Sequence, residues 1–365
     1  MSKTDIEYWL ALKLIPRLAI QKKLHFVKTY GLSELFQQAL PFQALTSNQQ
    51  RAFQSPQWNK INDIIAQSKA CNSEIIGFDD PRYPLILKQI YDPPLVLFVQ
   101  GNNLLLNEKQ LAIVGSRSAT INGRKSAEDF AKQLSQHDYV ITSGLALGID
   151  ASAHRGALIA KGKTIAVVAT GLDKVYPSRH QSLVSDILQA NGAVISEFIP
   201  GTPPKAGHFP KRNRLISGLS QGVLVVEAEM RSGSLITARC ALEQGREVYA
   251  IPSSIGNPLA KGCHWLIKQG AKLVEECADI ISEIDYSTVN QKLNQKTPLV
   301  AKNNPQQDLF NDELLASVGY EVTPVDTVVS RSKLPTEVVL VRLTLLELKG
   351  LVAAIPGGYI RLNRG

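Results

Sequence analysis

Four short loops between Ile113 and Thr237 carry residue types that bind phosphate. They read IVGSR (Ile113 to Arg117), TSGLALGID (Thr142 to Asp150), FPKRNR (Phe209 to Arg214) and SGSLIT (Ser232 to Thr237). Three of them leave an apolar, β-branched run and enter a helical pattern. Glycine in such a turn lets the backbone approach a ligand closely, and the free N–H groups at a helix start attract anions. The FPKRNR loop instead supplies cations: Lys211, Arg212 and Arg214, with Asn213 between them. Phe209 stands beside this cluster and offers a ring on which a base could stack. Taken singly, Phe209 reads as ordinary packing and the cluster as a solvated charged loop. Together with three glycine turns they point to a phosphate ligand.

Three ligand classes compete. A dinucleotide site wants G-x-G-x-x-G after the first strand and an acid at the end of the second. Here Gly115 and Gly123 are too far apart and the second strand ends in Ser143-Gly144, so a nicotinamide site is not expected. A P-loop is excluded because no G-x-x-x-x-G-K-[ST] occurs. A nucleotide phosphoribohydrolase-like enzyme would use similar glycine loops and needs a nearby carboxylate. Glu227 and Glu229 precede SGSLIT, while Glu243 follows it by roughly two helical turns. Asp150 and His154 form an i, i+4 pair that could act as acid and base, although helix capping by Asp150 and a packed or surface His154 is the preferred reading. Single-stranded nucleic acid is the third class. Its phosphates repeat, so a row of anion sites is useful, and Arg117, Lys211, Arg212 and Arg214 would pair with them. This third reading accounts for the most residues.

The elements that must position these loops alternate. Strands are expected at Leu111 to Val114, Tyr139 to Thr142, Thr164 to Ala169, Ala193 to Ile195, Val223 to Val226 and Glu247 to Ile251, with amphipathic helices between. That is the pattern of an α/β fold, a Rossmann-like, doubly wound, mostly parallel sheet. Residues 5 to 66 read as short helices (Ile6 to Leu14, Ala19 to Tyr30, Ser33 to Gln38, and a segment ending near Ser68), a small SAM-like module. A helix-hairpin-helix clamp would need glycine in its turn, and the turn Ile15 to Ala19 has none, so a structural role is expected. Residues 75 to 100, with Pro81, Pro84, Pro93 and Pro94, read as a connector with edge-strand character. The expected domains are 1–70 (helical), 71–286 (Rossmann-like, DNA-binding), 287–309 (a polar, flexible linker) and 310–365. The last combines helices with a hairpin at Pro356-Gly357-Gly358, the winged-helix pattern. Its third helix, from Thr336 to Lys349, has only Arg342 and Lys349 as basic residues. That favours a protein-binding or weak DNA-binding role.

A formal charge of +8 and a pI near 9.2 suit a polyanionic partner. The four cysteines, Cys71, Cys240, Cys263 and Cys277, are far apart and support neither a zinc site nor a disulfide framework. The apolar stretch near the amino terminus is broken by Lys13, Pro16 and Arg17 and is too short to span a bilayer, so a cytoplasmic protein is expected.

At these motifs the chain closely resembles the DNA processing protein A family (DprA, also called Smf). The resemblance runs through AIVGSR, the SGLA-x-GIDA-x-AHRGAL block from Ser143 to Leu158, and GLDKVYP (Gly171 to Pro177). It continues through Ser196-Glu197, FPKRNRLISGLS, VVEA, SGSLITA, GREVYAIP and KGCHWLIKQGA from Lys261. It covers the whole Rossmann-like domain, and the flanking modules are similar to the family's architecture. The combination of FP-x-RNR with SGSLITA is highly specific. The resemblance implies a non-enzymatic recombination mediator with no cofactor, no metal and no catalytic group. Such a protein binds incoming single-stranded DNA during natural transformation, dimerises through the Rossmann-like domain and loads the RecA recombinase. Carried over by motif, Ser116, Arg117, Ser143, Gly144, Lys211, Arg212, Asn213, Arg214, Gly233 and Ser234 would line the DNA pocket, with Phe209 stacking. The chain departs from the family pattern at Leu147, where arginine is usual, at Ala169-Thr170 before GLD, and at Ser253 after Pro252. The first departure removes one expected phosphate contact.

Overall fold

The computed structural model describes residues 3–37, 45–284, 314, 317–319, 322–332, 334–348, 351–355 and 357–361. It divides into two compact units, Met1–Val289 and Asn290–Gly365. The strands of the first unit are β1 (Glu74–Gly77), β2 (Val96–Gly101), β3 (Gln110–Val114), β4 (Val140–Ser143), β5 (Thr164–Val167), β6 (Ala193–Ser196), β7 (Gly222–Val225), β8 (Glu247–Ala250) and β9 (Lys272–Leu273). They form one sheet in the order β1-β2-β6-β5-β4-β3-β7-β8-β9. From β6 to β9 every neighbouring pair is parallel, while β2 runs antiparallel to β6 and β1 antiparallel to β2. The expected doubly wound, mostly parallel sheet is therefore present.

The parallel strands are apolar at successive positions because helices cover both faces. Leu111 and Ile113 pack on one side with Phe130, Leu134 and Ala153 from helices Ile121–Gln136 and Ile149–Ile159. Ala112 and Val114 point the other way, against Leu215, Ile216 and Ala238 from helices His208–Leu219 and Gly233–Glu243. The stretch expected over residues 75 to 100 to have edge-strand character contributes the edge strand β1 and its neighbour β2. Pro93 and Pro94 lie just ahead of β2 and outside its ladder, so they do not remove its hydrogen bonds.

The amino-terminal helices are Asp5–Leu14, Ile20–Tyr30, Glu34–Gln37, Ser47–Gln54 and Trp58–Ala70. Trp9, Leu12, Phe53 and Ile61 bury against Val96, Phe98, Ala166 and Val194, so the helices share their core with the sheet. The Trp9 indole N–H also donates to Asp79 in the turn after β1. The expected linker, 287–309, lies outside the described residues.

In the second unit, helices Val325–Ser332 and Thr336–Leu348 precede a hairpin of β10 (Val352–Ile355) and β11 (Gly358–Arg361), with a bridge from Thr323 to Tyr359. Its core holds Val328, Val339, Leu343, Leu346 and Val352. Val338, Leu340 and Val341 on the second helix are exposed, and Lys349 lies outside the described residues. No described helix is long and apolar enough to cross a membrane.

Candidate nucleic-acid interface

The chain winds outward from β3 through β4 and β5 to β6, then crosses back to place β7 on the other side of β3. Loops leaving the carboxyl ends of β3 and β7 diverge at this switch point, where doubly wound sheets bind ligands. A cleft of about 390 Å³ opens there. Ser116, Arg117 and Ser118 line it from the β3 loop, Ala146 and Asp150 from the β4 loop, and Ser232, Gly233 and Ser234 from the loop and helix after β7. Phe209, Pro210, Arg212 and Asn213 close it from helix His208–Leu219.

Backbone contacts tie the loops together. The Ser116 N–H donates to the Glu227 carbonyl at 2.7 Å, and the Ile149 N–H donates to the Ser116 carbonyl at 3.2 Å. Gly148 adopts φ +76°, and a Cβ there would lie 2.2 Å from the Ser116 carbonyl oxygen, so only glycine permits this approach. Asp150 does not cap its own helix. Its carboxylate accepts the Gly144 and Ala146 N–H groups at 3.2 and 3.3 Å and so fixes the preceding loop.

The cations divide. Arg212 is buried; its guanidinium donates to the Gly144 carbonyl at 2.6 Å and to the Val167 carbonyl. Burial pulls it down to about 10, against the attraction of Asp150, and it stays charged at neutral pH. Burial pushes the Asp150 carboxyl up, with Arg212 as the largest opposing influence. Asn213 donates to the Gly233 carbonyl at 3.1 Å, holding the start of helix Gly233–Glu243 in place. The cation that faces solvent in the cleft is Arg117, whose guanidinium lies 5.2 Å from the Phe209 ring centroid.

Of the expected site residues, Ser116, Arg117, Phe209, Arg212, Asn213, Gly233 and Ser234 come together in this cleft. Ser143 is fully buried and donates its hydroxyl to the Ile113 carbonyl at 2.6 Å, and Gly144 lies beneath the Arg212 guanidinium. Lys211 and Arg214 line a different cavity, because helical pitch turns them away from the face that carries Arg212. Arg214 is also paired, to Glu197 at 2.5 Å and to Asp92 at 3.3 Å. Leu147 is half-buried and does not line the cleft. Tyr176, from the GLDKVYP segment, is exposed, with its ring 5.9 Å from that of Phe209.

The groups an enzyme would need are differently placed. His154 is fully buried and bonds Thr164 Oγ1 at 2.7 Å, not Asp150. Thr164 donates its own proton to the Ile141 carbonyl, so the His154 Nδ1–H is the donor to Thr164 Oγ1. Burial drives this imidazole down to about 3. Glu227 accepts the Thr120 N–H and hydroxyl at 2.9 and 2.6 Å, at the start of helix Ile121–Gln136. Glu243 is exposed and off the cleft, while Glu229 is exposed and lines it.

These features define an α/β protein with a serine- and glycine-rich cleft over the sheet's switch point and a winged-helix unit after it. The chain belongs to the DprA/Smf family: residues 74–285 match the family of DNA recombination-mediator protein A, and residues 301–358 match the DprA winged helix domain. It is 43% identical to protein Smf of Escherichia coli K12 over 363 residues, covering 99% of this chain and 96% of that protein. It is 49% identical over 207 residues to DNA processing protein DprA of Streptococcus pneumoniae, covering 57% of this chain and 73% of that protein. A crystal structure of S. pneumoniae DprA superposes with a TM-score of 0.66 at 39% identity, covering 78% of this chain and 99% of that one. The Helicobacter pylori DprA structure, solved to explain that protein's single-stranded DNA binding mode, superposes with a TM-score of 0.53 at 28% identity, covering 60% of this chain and 98% of that one.

Proposed function

We propose that this protein binds single-stranded DNA in the switch-point cleft and passes it to RecA as a mediator of recombination, protecting incoming DNA during natural transformation. The observation that carries the reading is the pairing of Arg117 with Phe209 beside the free N-terminal end of helix Gly233–Glu243. The guanidinium meets a phosphate, the helix start meets another, and the ring accepts a base of any identity. Ser116, Ser118 and Ser234 supply hydroxyls along the same line. Arg212 and Asn213 contribute by holding the walls, and Ser143 and Gly144 act from beneath. Lys211 and Arg214 lie too far round the helix to share these phosphates. Homodimerisation through the sheet-bearing unit and a cytoplasmic location belong to the same proposal, and light scattering tests the dimer.

The experiment is fluorescence anisotropy with labelled oligo-dT and the matching duplex across a salt series. Preference for the single strand is expected, with affinity falling steeply as salt rises. Arg117→Glu should lower the slope of log affinity against log salt by about 0.7, the value of one single-strand phosphate contact. Equal affinity for duplex, or an unchanged slope in the variant, would overturn this site. RecA filament assembly on strands carrying the bound protein then tests the hand-over. Glu229 keeps a phosphoribohydrolase-like reading alive, and release of free base from a nucleoside monophosphate is its test.

A further inference from the structure

A second cavity, of about 330 Å³, lies where the amino-terminal helices meet the sheet-bearing part of the same unit. Five basic side chains line it: Lys13, Arg17, Lys23, Lys211 and Arg214. Only two carboxylates, Asp92 and Glu197, face them, and both are engaged by Arg214. The excess is three positive charges in a space at the small end of the ligand-pocket range, about 300–1,000 Å³. The floor is apolar, from Ile15, Leu18 and Leu95.

Lys23 is built in, Lys13 and Arg214 are half-buried, and Arg17 and Lys211 are exposed at the rim. Lys23 is buried and donates to the Lys13 and Ile15 carbonyls at 3.1 and 3.0 Å, at the end of helix Asp5–Leu14. Arg17 occupies the tight turn between two helices with φ +50°, a strained conformation for a non-glycine residue. Gln49 fixes that turn by donating to the Pro16 and Arg17 carbonyls at 3.1 and 3.2 Å. Lys13 Nζ has no hydrogen-bond or ion-pair partner among the described residues. The turn therefore spends strain to hold a cation over a cavity whose wall carries an unneutralised lysine.

We infer that this cavity is a second anion site, which takes the phosphomonoester group of a nucleotide or of a nucleic-acid 5′ end. A phosphodiester brings one negative charge; a terminal phosphate brings nearly two and a diphosphate three, closer to the excess present. The inference does not rest on the switch-point cleft, because none of its charged residues lines that cleft. Proton linkage supports it. Burial pulls both Lys13 and Lys23 down to about 8. Lys13 also feels Glu197, Lys211, Arg214 and Asp92, and Lys23 feels Lys13, Lys211 and Asp92. A bound dianion raises both lysines again, so binding at pH 8 takes up protons.

The test is calorimetric titration of the full chain with inorganic pyrophosphate at pH 8, in two buffers of different ionisation enthalpy. Saturable binding with proton uptake is expected. Lys13→Met and Arg17→Gly should each weaken it by about tenfold or more, the weight of a charge-assisted contact. Glycine suits the φ of residue 17, so Arg17→Gly preserves the turn and remains informative should Lys13→Met unfold. Arg117→Glu should remove any binding in the switch-point cleft and leave the Arg17-dependent binding in place. Thymidine 5′-monophosphate and oligo-dT with and without a 5′ phosphate then separate a free nucleotide from a strand terminus. No saturable pyrophosphate binding, or binding indifferent to Arg17→Gly, would overturn the site.

Discussion

The two sides of helix His208–Leu219 put neighbouring residues to opposite uses. On one side Phe209, Arg212 and Asn213 face the switch-point cleft, and Arg212 is sealed under the loops with one guanidinium nitrogen donating to two backbone carbonyls. On the other, Lys211 and Arg214 face the cavity beneath the amino-terminal helices, one exposed and one ion-paired. A run of cations on a helix is distributed around it at 100° intervals, so cations adjacent in sequence need not meet one phosphate chain. The difference teaches that charge counted along a motif overstates the number of phosphate contacts. What looks like one electropositive loop is a structural arginine, a neutralised arginine and an exposed lysine over the Phe198 ring.

The comparison breaks most readily at Arg212. Arg212→Met removes the donors that hold the Gly144 and Val167 carbonyls and leaves Asp150 buried without its compensating charge. A stability loss of about 3–5 kcal/mol is expected in urea unfolding. A loss below about 1 kcal/mol would mean that Arg212 is a ligand group and not a structural one. For the same reason charge reversal of Lys211 and Arg212 together cannot test DNA binding with the fold left intact. Phe209→Ala acts on the partly exposed ring of the same side. Oligo-dT binding should weaken by about 1–3 kcal/mol, read by anisotropy, with unfolding nearly unchanged.

A smaller effect sharpens the account of the buried side. His154 is held neutral by burial, with His180 and then Arg212 adding to the depression. Its folded value is below its unfolded one, so the unfolded chain takes up the proton first. The stability this gives is full above about pH 6.5 and is lost as pH falls towards about 3. Between pH 7 and 5.5 the loss should be about 1 kcal/mol, and His154→Gln should abolish that part of the slope. An unchanged acid slope in the variant would show that His154 already binds a proton in the native protein. Smallest of all, Lys211→Ala should alter unfolding stability by no more than about 0.5 kcal/mol.

Much of the fold was legible because its signals are local. The six parallel strands expected between Leu111 and Ile251 coincide with β3 to β8 to within two residues, since burial on both faces leaves continuous apolar runs. β1 and β2 show in the sequence only as edge-strand character over residues 75 to 100, and the two-residue β9 not at all. β1 and β2 sit among prolines, and β9 is too short to show a period. Ser116, Arg117, Gly233 and Ser234, singled out by their glycine turns, line one cleft. Tyr176 carried a weaker signal, an aromatic before proline in a quoted motif, and its place beside Phe209 depends on two distant loops meeting.

The sequence by itself determined the alternation of elements, the glycine- and serine-rich make-up of the loops and membership of the family, because glycine turns, strand periodicity and motif spacing are properties of short segments. The tertiary structure alone decided which cation is exposed, which is buried and which is paired. It also decided that Glu227 serves the start of a helix, that Asp150 braces a loop, and that Lys13, Arg17 and Lys23 face Lys211 across a cavity. Those outcomes depend on contacts between residues far apart in the chain, where burial and the partner's charge, rather than residue type, set what a side chain does.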